Sequence, residues 1–556
     1  MPSSYLADTQ GTDPYNISMF FWYFEARQDP RNAKTAIYLA GGPGESSMYG
    51  ATSDGGPCTI LPDSNSTAEN PWSWNQHVNM LYLDQPNQSG FSYDTLINST
   101  MDVLFLGGDG LGITAFKDYN GTVPPANSTF VHGTLPSQNP THTANNSVIA
   151  ARTIWHFSQI WFSEFPEWKT HDKRIAVWGN SYGGYWVSAS AAYIQAQNAK
   201  IAAGALDARI LELETAGIAN GCIDQLYQGR LYPQMAYNNT YGLEVISEEV
   251  LEEAVDNFTK PDGCREQILR CRELGDLFDP DELAANATVN SICVEATLYC
   301  AQYVLGAYSV YSNRSAFDMA HFNPDPFPTS YTTVFFNQAW VQRALGVPVN
   351  FTADSILVND GVLGVSGDSV RAAGMKDIKY LLNSGVNVAL VYGDRDYRCP
   401  WLGVESLALQ ADWTGSEGFR GAGYEYVDTN ETYRGGVVRE HSRLSFARVF
   451  DAGHDVAAFQ PETTYQIFDR VMRGRDIATG TRHTDGDYTT HGPSSSFHIK
   501  NRLPSPPPVD CYLWNFASTC TVDQYAALIN GTAGVVDYRV VSPSGGGGPL
   551  GTGNGL

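Results

Sequence analysis

The sequence predicts an α/β fold: a central, mostly parallel sheet with helices on both faces and a helical insertion that carries disulfides. Three observations predict it. Short apolar runs alternate with helix-like segments along the chain, the pattern of parallel sheets with helical crossovers. One apolar run leads directly into Gly179-Asn180-Ser181-Tyr182-Gly183 and then into a helix-like segment rich in small residues. Four cysteines crowd between 264 and 300, inside acidic, helix-forming sequence.

In chain order, the aromatic run 19–27 reads as a strand. Thr35 to Leu39 is a second, stopped by Gly41-Gly42-Pro43-Gly44, and Val78 to Leu83 a third, stopped by Asp84-Gln85-Pro86. Residues 95–147 are rich in Gly, Asn, Thr and Pro and read as a long surface excursion. An amphipathic helix is predicted over 148–166, a strand over Arg174 to Trp178, and a helix from about Gly184 to Ala199. Between Cys222 and about Pro328 acidic helical stretches alternate with the clustered cysteines. Strands resume at Val386 to Tyr392 and Leu444 to Phe450, and Pro461 to Met472 is a helix with Pro at its start. Residues 503–509 are Pro-rich. The core is therefore assigned to 1–223 and 329–490, the helical cap to 224–328, a C-terminal extension with Cys511 and Cys520 to 491–543, and a disordered Gly-rich tail to 544–556.

Composition narrows the function. The 556 residues include 34 Lys plus Arg against 59 Asp plus Glu, a net charge of −25, which repels phosphate backbones and argues against nucleic acid as a partner. No apolar run approaches the roughly 20 residues that span a bilayer, and no fixed-period repeat is present. The nine cysteines form no C-x-x-C pair, and their odd number leaves at least one unpaired. Asn-x-Ser/Thr acceptors stand at Asn16, Asn65, Asn87, Asn98, Asn120, Asn127, Asn145, Asn238, Asn257, Asn286, Asn313, Asn350, Asn430 and Asn530. Their density, with the cysteine clusters, points to N-linked glycans and a secretory destination, extracellular or vacuolar. Residues 1–20 show no basic start followed by an apolar stretch, so the expectation is an internal start of numbering or a truncated gene model.

The chemistry centres on Ser181. Gly-x-Ser-x-Gly is a weak pattern alone; between a strand and a helix it is a nucleophile elbow, in which glycines let the chain turn sharply and lift the hydroxyl above the sheet. A serine needs a base, and the base an orienting acid, in the chain order Ser, acid, His. Gly393-Asp394-Arg395-Asp396 follows one late strand, and Asp451-Ala452-Gly453-His454 follows another. The glycines of 41–44 leave backbone amides free to hold an oxyanion together with the amide of Tyr182. No metal-ligand spacing or dinucleotide fingerprint is present, so no cofactor is expected.

These segments, with Phe20-Phe21-Trp22-Tyr23-Phe24-Glu25-Ala26-Arg27, Asn70-Pro71-Trp72-Ser73-Trp74-Asn75, Gly90-Phe91-Ser92-Tyr93, Asn220-Gly221-Cys222-Ile223-Asp224 and Cys399, make the chain resemble the serine carboxypeptidases, in particular their secreted fungal branch, over about residues 15 to 540. The resemblance implies an α/β-hydrolase core with a disulfide-bearing cap, a nucleophile at Ser181, an orienting acid at Asp396 rather than Asp394, a base at His454 and oxyanion amides at Gly42 and Tyr182. It implies a free thiol at Cys399 near the substrate pocket, and pairs Cys264–Cys300, Cys271–Cys293 and Cys511–Cys520. It also exposes departures. The family reads the substrate's terminal carboxylate with an Asn before Gly-Gly-Pro-Gly and a Glu before the nucleophile; here these are Ala40 and Asn180. Glu45 stands where Cys or Ser is usual, Pro400 follows the pocket cysteine, Asp54 corresponds to the acid that pairs with the lost Glu, and His454 is followed by Asp455-Val456-Ala457. Ala40, Gly41, Glu45, Asn180 and Cys399 are thus the implied substrate-contacting positions. Glu45 either faces the pocket and repels a carboxylate or points outward as a solvated acid.

The expected function is a serine-type carboxypeptidase that releases C-terminal amino acids from peptide substrates. The alternative is an esterase, amidase or acyltransferase on the same triad, because carboxylate recognition is altered. A glycoprotein that keeps the triad without using it is the third reading. The shortened N-terminal region further leads to the expectation of an exposed sheet edge.

Overall fold

The structure, a computed structural model, describes residues 1–2, 4, 15–53, 55–104, 112–325, 327–328, 331–484, 486–505 and 509–543. The strands used below are β1 (Phe21–Phe24), β2 (Thr35–Leu39), β3 (Asn79–Leu83), β4 (Leu96–Asp102), β5 (Gly112–Ala115), β6 (Phe130–Pro136), β7 (Arg174–Asn180), β8 (Glu212–Ala219), β9 (Asn387–Gly393), β10 (Glu425–Asp428), β11 (Arg434–His441) and β12 (Leu444–Val449). The helices are α1 (Ser147–Glu164), α2 (Gly183–Ala202), α3 (Glu248–Thr259), α4 (Cys264–Phe278), α5 (Ala287–Cys300), α6 (Gly374–Asn383), α7 (Trp401–Gln410) and α8 (Pro461–Met472).

Among the described residues nine strands form the central sheet, in the order β1-β3-β2-β7-β8-β9-β12-β11-β10. The six from β3 to β12 are parallel; β1 joins antiparallel at one edge, and β11 and β10 at the other. The mostly parallel α/β architecture expected from the strand–helix alternation is observed, as is the α/β-hydrolase core that the resemblance implies. Its cause is visible in β2. Successive side chains point to opposite faces, so Ile37 and Leu39 enter one apolar cluster and Ala36 and Tyr38 the other. A strand apolar on both faces is stable only when both are covered. Helices α1, α2, α6 and α7 cover the first face; α8 and a short helix at Ser47–Thr52 cover the second.

The structure departs from the sequence reading in three places. Strands β8, β10 and β11 were not anticipated. β8 begins with Glu-Leu-Glu-Thr, and β11 carries two glycines, two arginines, a glutamate and a histidine; both fall short of an unbroken apolar run, yet both sit inside the sheet. The excursion 95–147 is not a plain loop. β4, β5 and β6 make a separate three-stranded antiparallel sheet in which Ser99, Thr100, Met101 and Leu135 are buried. Its Ser- and Thr-rich strands imitate loop composition, because pairing with neighbours satisfies their backbone and leaves little periodicity to read. The aromatic run 19–27 gives only a four-residue strand. β1 is the edge strand among the described residues; its side chains are half-buried, and Phe21 packs edge-on against Phe157, Trp161 and Phe165.

The named elements between Gln225 and Tyr311 are all helical. In the α4–α5 pair, Cys264 and Cys271 lie seven residues apart and so share one helix face, as do Cys293 and Cys300. They join as nested disulfides, Cys264–Cys300 and Cys271–Cys293, and Cys511–Cys520 closes a small loop near the C-terminus. The residues after 490 are tied to the core by buried arginines: Arg448 donates to the carbonyls of Ser496 and Ile499, and Arg439 to that of Ser494. The Gly-rich stretch 544–556 lies outside the described residues. No described helix is long and apolar enough to cross a membrane.

Candidate active site

The site forms where the parallel strands end, the usual place for chemistry in an open α/β sheet. β7 ends at Asn180, Ser181 takes the turn, and α2 begins at Gly183. Ser181 has φ 56°, a left-handed conformation that a non-glycine residue adopts only when its surroundings hold it there. The flanking glycines are required sterically: a Cβ at Gly179 or Gly183 would lie 2.5 or 2.7 Å from the carbonyl oxygen of Leu39. Ser181 itself is half-buried.

Asp396 and His454 meet on two loops that follow adjacent parallel strands, β9 and β12. Asp396 is fully buried and accepts three hydrogen bonds: from His454 Nδ1 at 2.9 Å and Asn220 Nδ2 at 2.8 Å on Oδ2, and from the amide of Cys399 at 3.2 Å on Oδ1. With its proton on Nδ1, the imidazole keeps Nε2 as an acceptor. Nε2 is buried and has no hydrogen-bond partner among the described residues. Burial disfavours the imidazolium, but the charge and hydrogen bond of Asp396 and the charge of Asp455 outweigh it, and the pKa of His454 stands above its ordinary value. The loop is held from behind: the amide of His454 donates to the carbonyl of Phe317 at 2.7 Å, and the Phe317 ring lies 5.2 Å from the imidazole.

The two acids of the Gly-Asp-Arg-Asp segment part company. Asp394, also buried, accepts from Arg448 Nη2 at 3.0 Å, Tyr241 Oη at 2.6 Å and Asn501 Nδ2 at 2.9 Å. It ties the C-terminal extension to the core, whereas Asp396 alone of the two reaches His454.

The glycine loop closes over the elbow. A Cβ at Gly41 would lie 2.6 Å from both Ser181 Cβ and the amide nitrogen of Tyr182, so only glycine permits this approach. Gly42 has φ 95°, a second requirement for glycine. The backbone of Gly41 thereby lies against Ser181 and the amide of Tyr182, while the Tyr182 phenol is engaged elsewhere, donating to Asp368 at 2.7 Å. Ala40 and Asn180 are buried at the ends of β2 and β7; Ala40 offers only a methyl, and its amide donates to Ser47 Oγ at 3.0 Å. Glu45 is half-buried and pairs by backbone with Asp354. Asp54 lies outside the described residues.

One expectation is corrected. Cys399 is not a free thiol: it forms a disulfide with Cys222, with Cα atoms 5.1 Å apart. The unpaired cysteine is Cys58, half-buried and distant in sequence from the triad. The resemblance carries a residue type to position 399 but not the chain that lies opposite it. Here that chain is 219–222, whose Cys222 amide donates to the carbonyl of Ser181 at 3.1 Å, so the disulfide joins the acid loop to the elbow. The sequence reading also missed the part played by Asn220. Its φ of 43° and its bonds to Asp396 and to the amide of Gly393 make it the brace between β8 and the acid loop. An Asn directly after a strand was the signal available.

No group of three or more His, Cys, Asp or Glu side chains suited to a metal ion occurs among the described residues. At the opposite end of the sheet a cavity of about 750 Å³ is lined by Lys34, Arg174 and Glu214. These three pair with one another, Arg174 with Glu214 at 2.7 Å and Lys34 with the same carboxylate.

Known proteins are similar to this chain. A family profile described as serine carboxypeptidase matches residues 3–474. Carboxypeptidase S1 homolog A of Arthroderma benhamiae is 46% identical over 539 residues, covering 95% of this chain and 81% of that protein. Carboxypeptidase Y homolog of the same organism is 39% identical, covering 95% and 84%. Carboxypeptidase S1 of Penicillium janthinellum is 26% identical, covering 84% and 94%. Among solved structures, a prohormone-processing carboxypeptidase, KEX1(delta)p of Saccharomyces cerevisiae, superposes with a TM-score of 0.58 at 19% identity, covering 88% of this chain and 93% of that one; at that identity the likeness speaks for the fold.

Proposed function

The chain belongs to the serine carboxypeptidase family, and from that premise we propose that it releases the C-terminal residue of peptides through an acyl-enzyme on Ser181. His454 Nε2 takes the hydroxyl proton as Ser181 Oγ attacks the scissile carbonyl. Asp396 holds the ring in the required tautomer and stabilises the imidazolium. The amides of Gly42 and Tyr182 donate to the tetrahedral oxyanion, and His454 returns the proton to the departing amino group. Water, deprotonated by the same nitrogen, then frees the acyl group.

The observation that carries this reading is the buried His454–Asp396 hydrogen bond with Nε2 left unengaged. The test is hydrolysis of matched blocked dipeptides, one with a free C-terminal carboxylate and one amidated, from pH 4 to 8. The free acid is expected to be cleaved faster, and Ser181→Ala to lose roughly 10⁴- to 10⁶-fold in kcat. A mutant that keeps its activity sinks the assignment of the nucleophile.

A second reading, an esterase, amidase or acyltransferase on the same residues, is favoured by one observation: a methyl at Ala40 and an uncharged amide at Asn180 where family members carry Asn and Glu. Preference for the amidated or esterified substrate selects it. The four disulfides suit an oxidising, secretory route. N-linked glycans belong on exposed acceptors such as Asn98, Asn120, Asn127, Asn238, Asn313 and Asn430, and not on Asn87, Asn145 or Asn257, which are buried.

A further inference from the structure

Arg398 stands two residues after Asp396 and directly before Cys399. Its backbone is fixed on every side. Its amide donates to the carbonyl of Ala316 at 2.8 Å, its carbonyl accepts from Tyr232 Oη at 2.8 Å, and the next residue is joined to Cys222. Through that disulfide the backbone of residue 398 lies one residue from groups that contact both Asp396 and Ser181: the Cys399 amide bonds Asp396, and the Cys222 amide bonds the Ser181 carbonyl.

The side chain is treated differently from the backbone. It is exposed and makes no ion pair or side-chain hydrogen bond among the described residues. Neighbouring arginines are committed: Arg395 to Asp318 at 2.9 Å and Arg448 to Asp394 at 3.0 Å, all buried. In a chain of net charge −25, an arginine with a fixed backbone and an unspent guanidinium is placed for a ligand. The local field calls for it as well. The carboxylates of Asp396 and Asp455 both act on His454, and Arg398 is the cation that opposes them there. An anionic substrate group arriving over Ser181 meets those two negative charges, while Ala40 and Asn180 offer it no charge in return.

We propose that Arg398 is a specificity-determining residue that receives a carboxylate of the peptide substrate. The proposal rests on the carboxypeptidase reading above. Guanidinium suits the role because its fork presents two N–H donors to the two oxygens of a carboxylate. The carboxylate has two possible sources in a peptide, its C-terminus or an acidic side chain, and the experiment separates them.

Arg398→Met and Arg398→Lys are compared with the wild type on two sets of blocked dipeptides at pH 6. The first set pairs free acids with C-terminal amides. The second pairs Glu with Gln at the terminal and at the penultimate position. Labelling of Ser181 by a fluorophosphonate reports whether the triad has assembled in each variant. Arg398→Met is expected to lower one of these preference ratios about 10- to 100-fold, chiefly through KM, and Arg398→Lys to keep most of it. A fall in the acid-to-amide ratio names the C-terminal carboxylate as the ligand; a fall confined to the Glu-to-Gln ratio names a side chain. Both ratios within twofold of the wild type in Arg398→Met overturn the proposal. A binding measurement keeps it separable from the catalytic reading: protection of Ser181 against the fluorophosphonate by an acylamino acid and by its amide. If the wild type cleaves no peptide but the acid still protects better in an Arg398-dependent manner, the carboxypeptidase reading fails and this one stands. If peptides are cleaved with a preference that Arg398→Met leaves intact, the reverse holds.

Discussion

Ser181, Gly41 and Asn220 show how narrow the tolerances around one hydroxyl are. Ser181 is held at φ 56°, and the glycine loop comes so near that a single methyl at Gly41 would meet both Ser181 Cβ and the Tyr182 amide at 2.6 Å. Those contacts are with backbone and with a Cβ, which cannot swing aside, so the loop itself must retreat. Gly41→Ala is expected to lower kcat about 100-fold or more by moving the oxyanion donors, while KM and the thermal midpoint change less. Steady-state kinetics alongside a melting curve checks this; a loss of stability equal to the loss of rate would point to misfolding instead. Local chemistry of this kind was legible in advance, because the need for glycine at a sharp turn is a property of the turn. The bracing of Asp396 by Asn220 was not, because it depends on a residue 176 positions away.

At the scale of elements, the catalytic loops are joined more firmly than the strand ends alone would hold them. The Cys222–Cys399 disulfide closes 177 residues of chain and connects the loop after β8 with the loop after β9. Constraining so long a segment in the unfolded chain stabilises by about 2–5 kcal/mol. Removing the pair as Cys222→Ser with Cys399→Ser is expected to lower the thermal midpoint by several degrees and to slow turnover as well, since Asp396 loses the fixed Cys399 amide. The double variant of Cys271 and Cys293, whose disulfide lies in the helical insertion, is expected to lower the midpoint with a smaller effect on kcat. Equal effects on rate from both would contradict a positioning role for the first. Here the reading from sequence was partial. The α4–α5 pairs were among those the resemblance implies, and the seven-residue spacing on each helix is consistent with them; the resemblance put a free thiol at Cys399, and the disulfide between the two loops leaves no periodic trace.

For the molecule as a whole, buried acids set the response to pH. Burial pushes Asp84 up to about 6 against hydrogen bonds from Phe91 and Ser46, and Asp318 up to about 6 despite Arg395. Glu440, buried with a hydrogen bond from the amide of Ile477 and the charge of Asp476 nearby, is pushed up to about 8. In the unfolded chain such groups titrate near pH ~4. The folded protein therefore binds more protons than the unfolded one between about pH 4 and 8, and stability falls as pH rises through that window. The net charge of −25 acts in the same direction. Carboxylates held low by hydrogen bonds, such as Asp476, oppose this only below about pH 4. The thermal midpoint is expected to be higher at pH 5 than at pH 8.5, and Glu440→Gln to raise the value at pH 8.5 and flatten the profile. Calorimetry giving a higher midpoint at pH 8.5 in the wild type would contradict the assignment.

The family was legible through the resemblance of many short segments taken together. The sequence by itself determined the α/β class, the elbow and a helical insertion, because each rests on local information such as apolar period and glycine at a turn. The chain order of Ser, acid and His was legible for the same reason. The resemblance had already singled out Asp396 as the partner of His454; only the tertiary structure decided that Asp394 serves Arg448 instead, that Cys399 is bonded and Cys58 free, and that Arg398 keeps an uncommitted charge beside the triad. It also decided that the polar strands β8 and β11 lie within the sheet. Hydrogen bonds, disulfides and charges act over distances of a few ångströms in space, and positions hundreds of residues apart carry no mark in the sequence of which of them will meet.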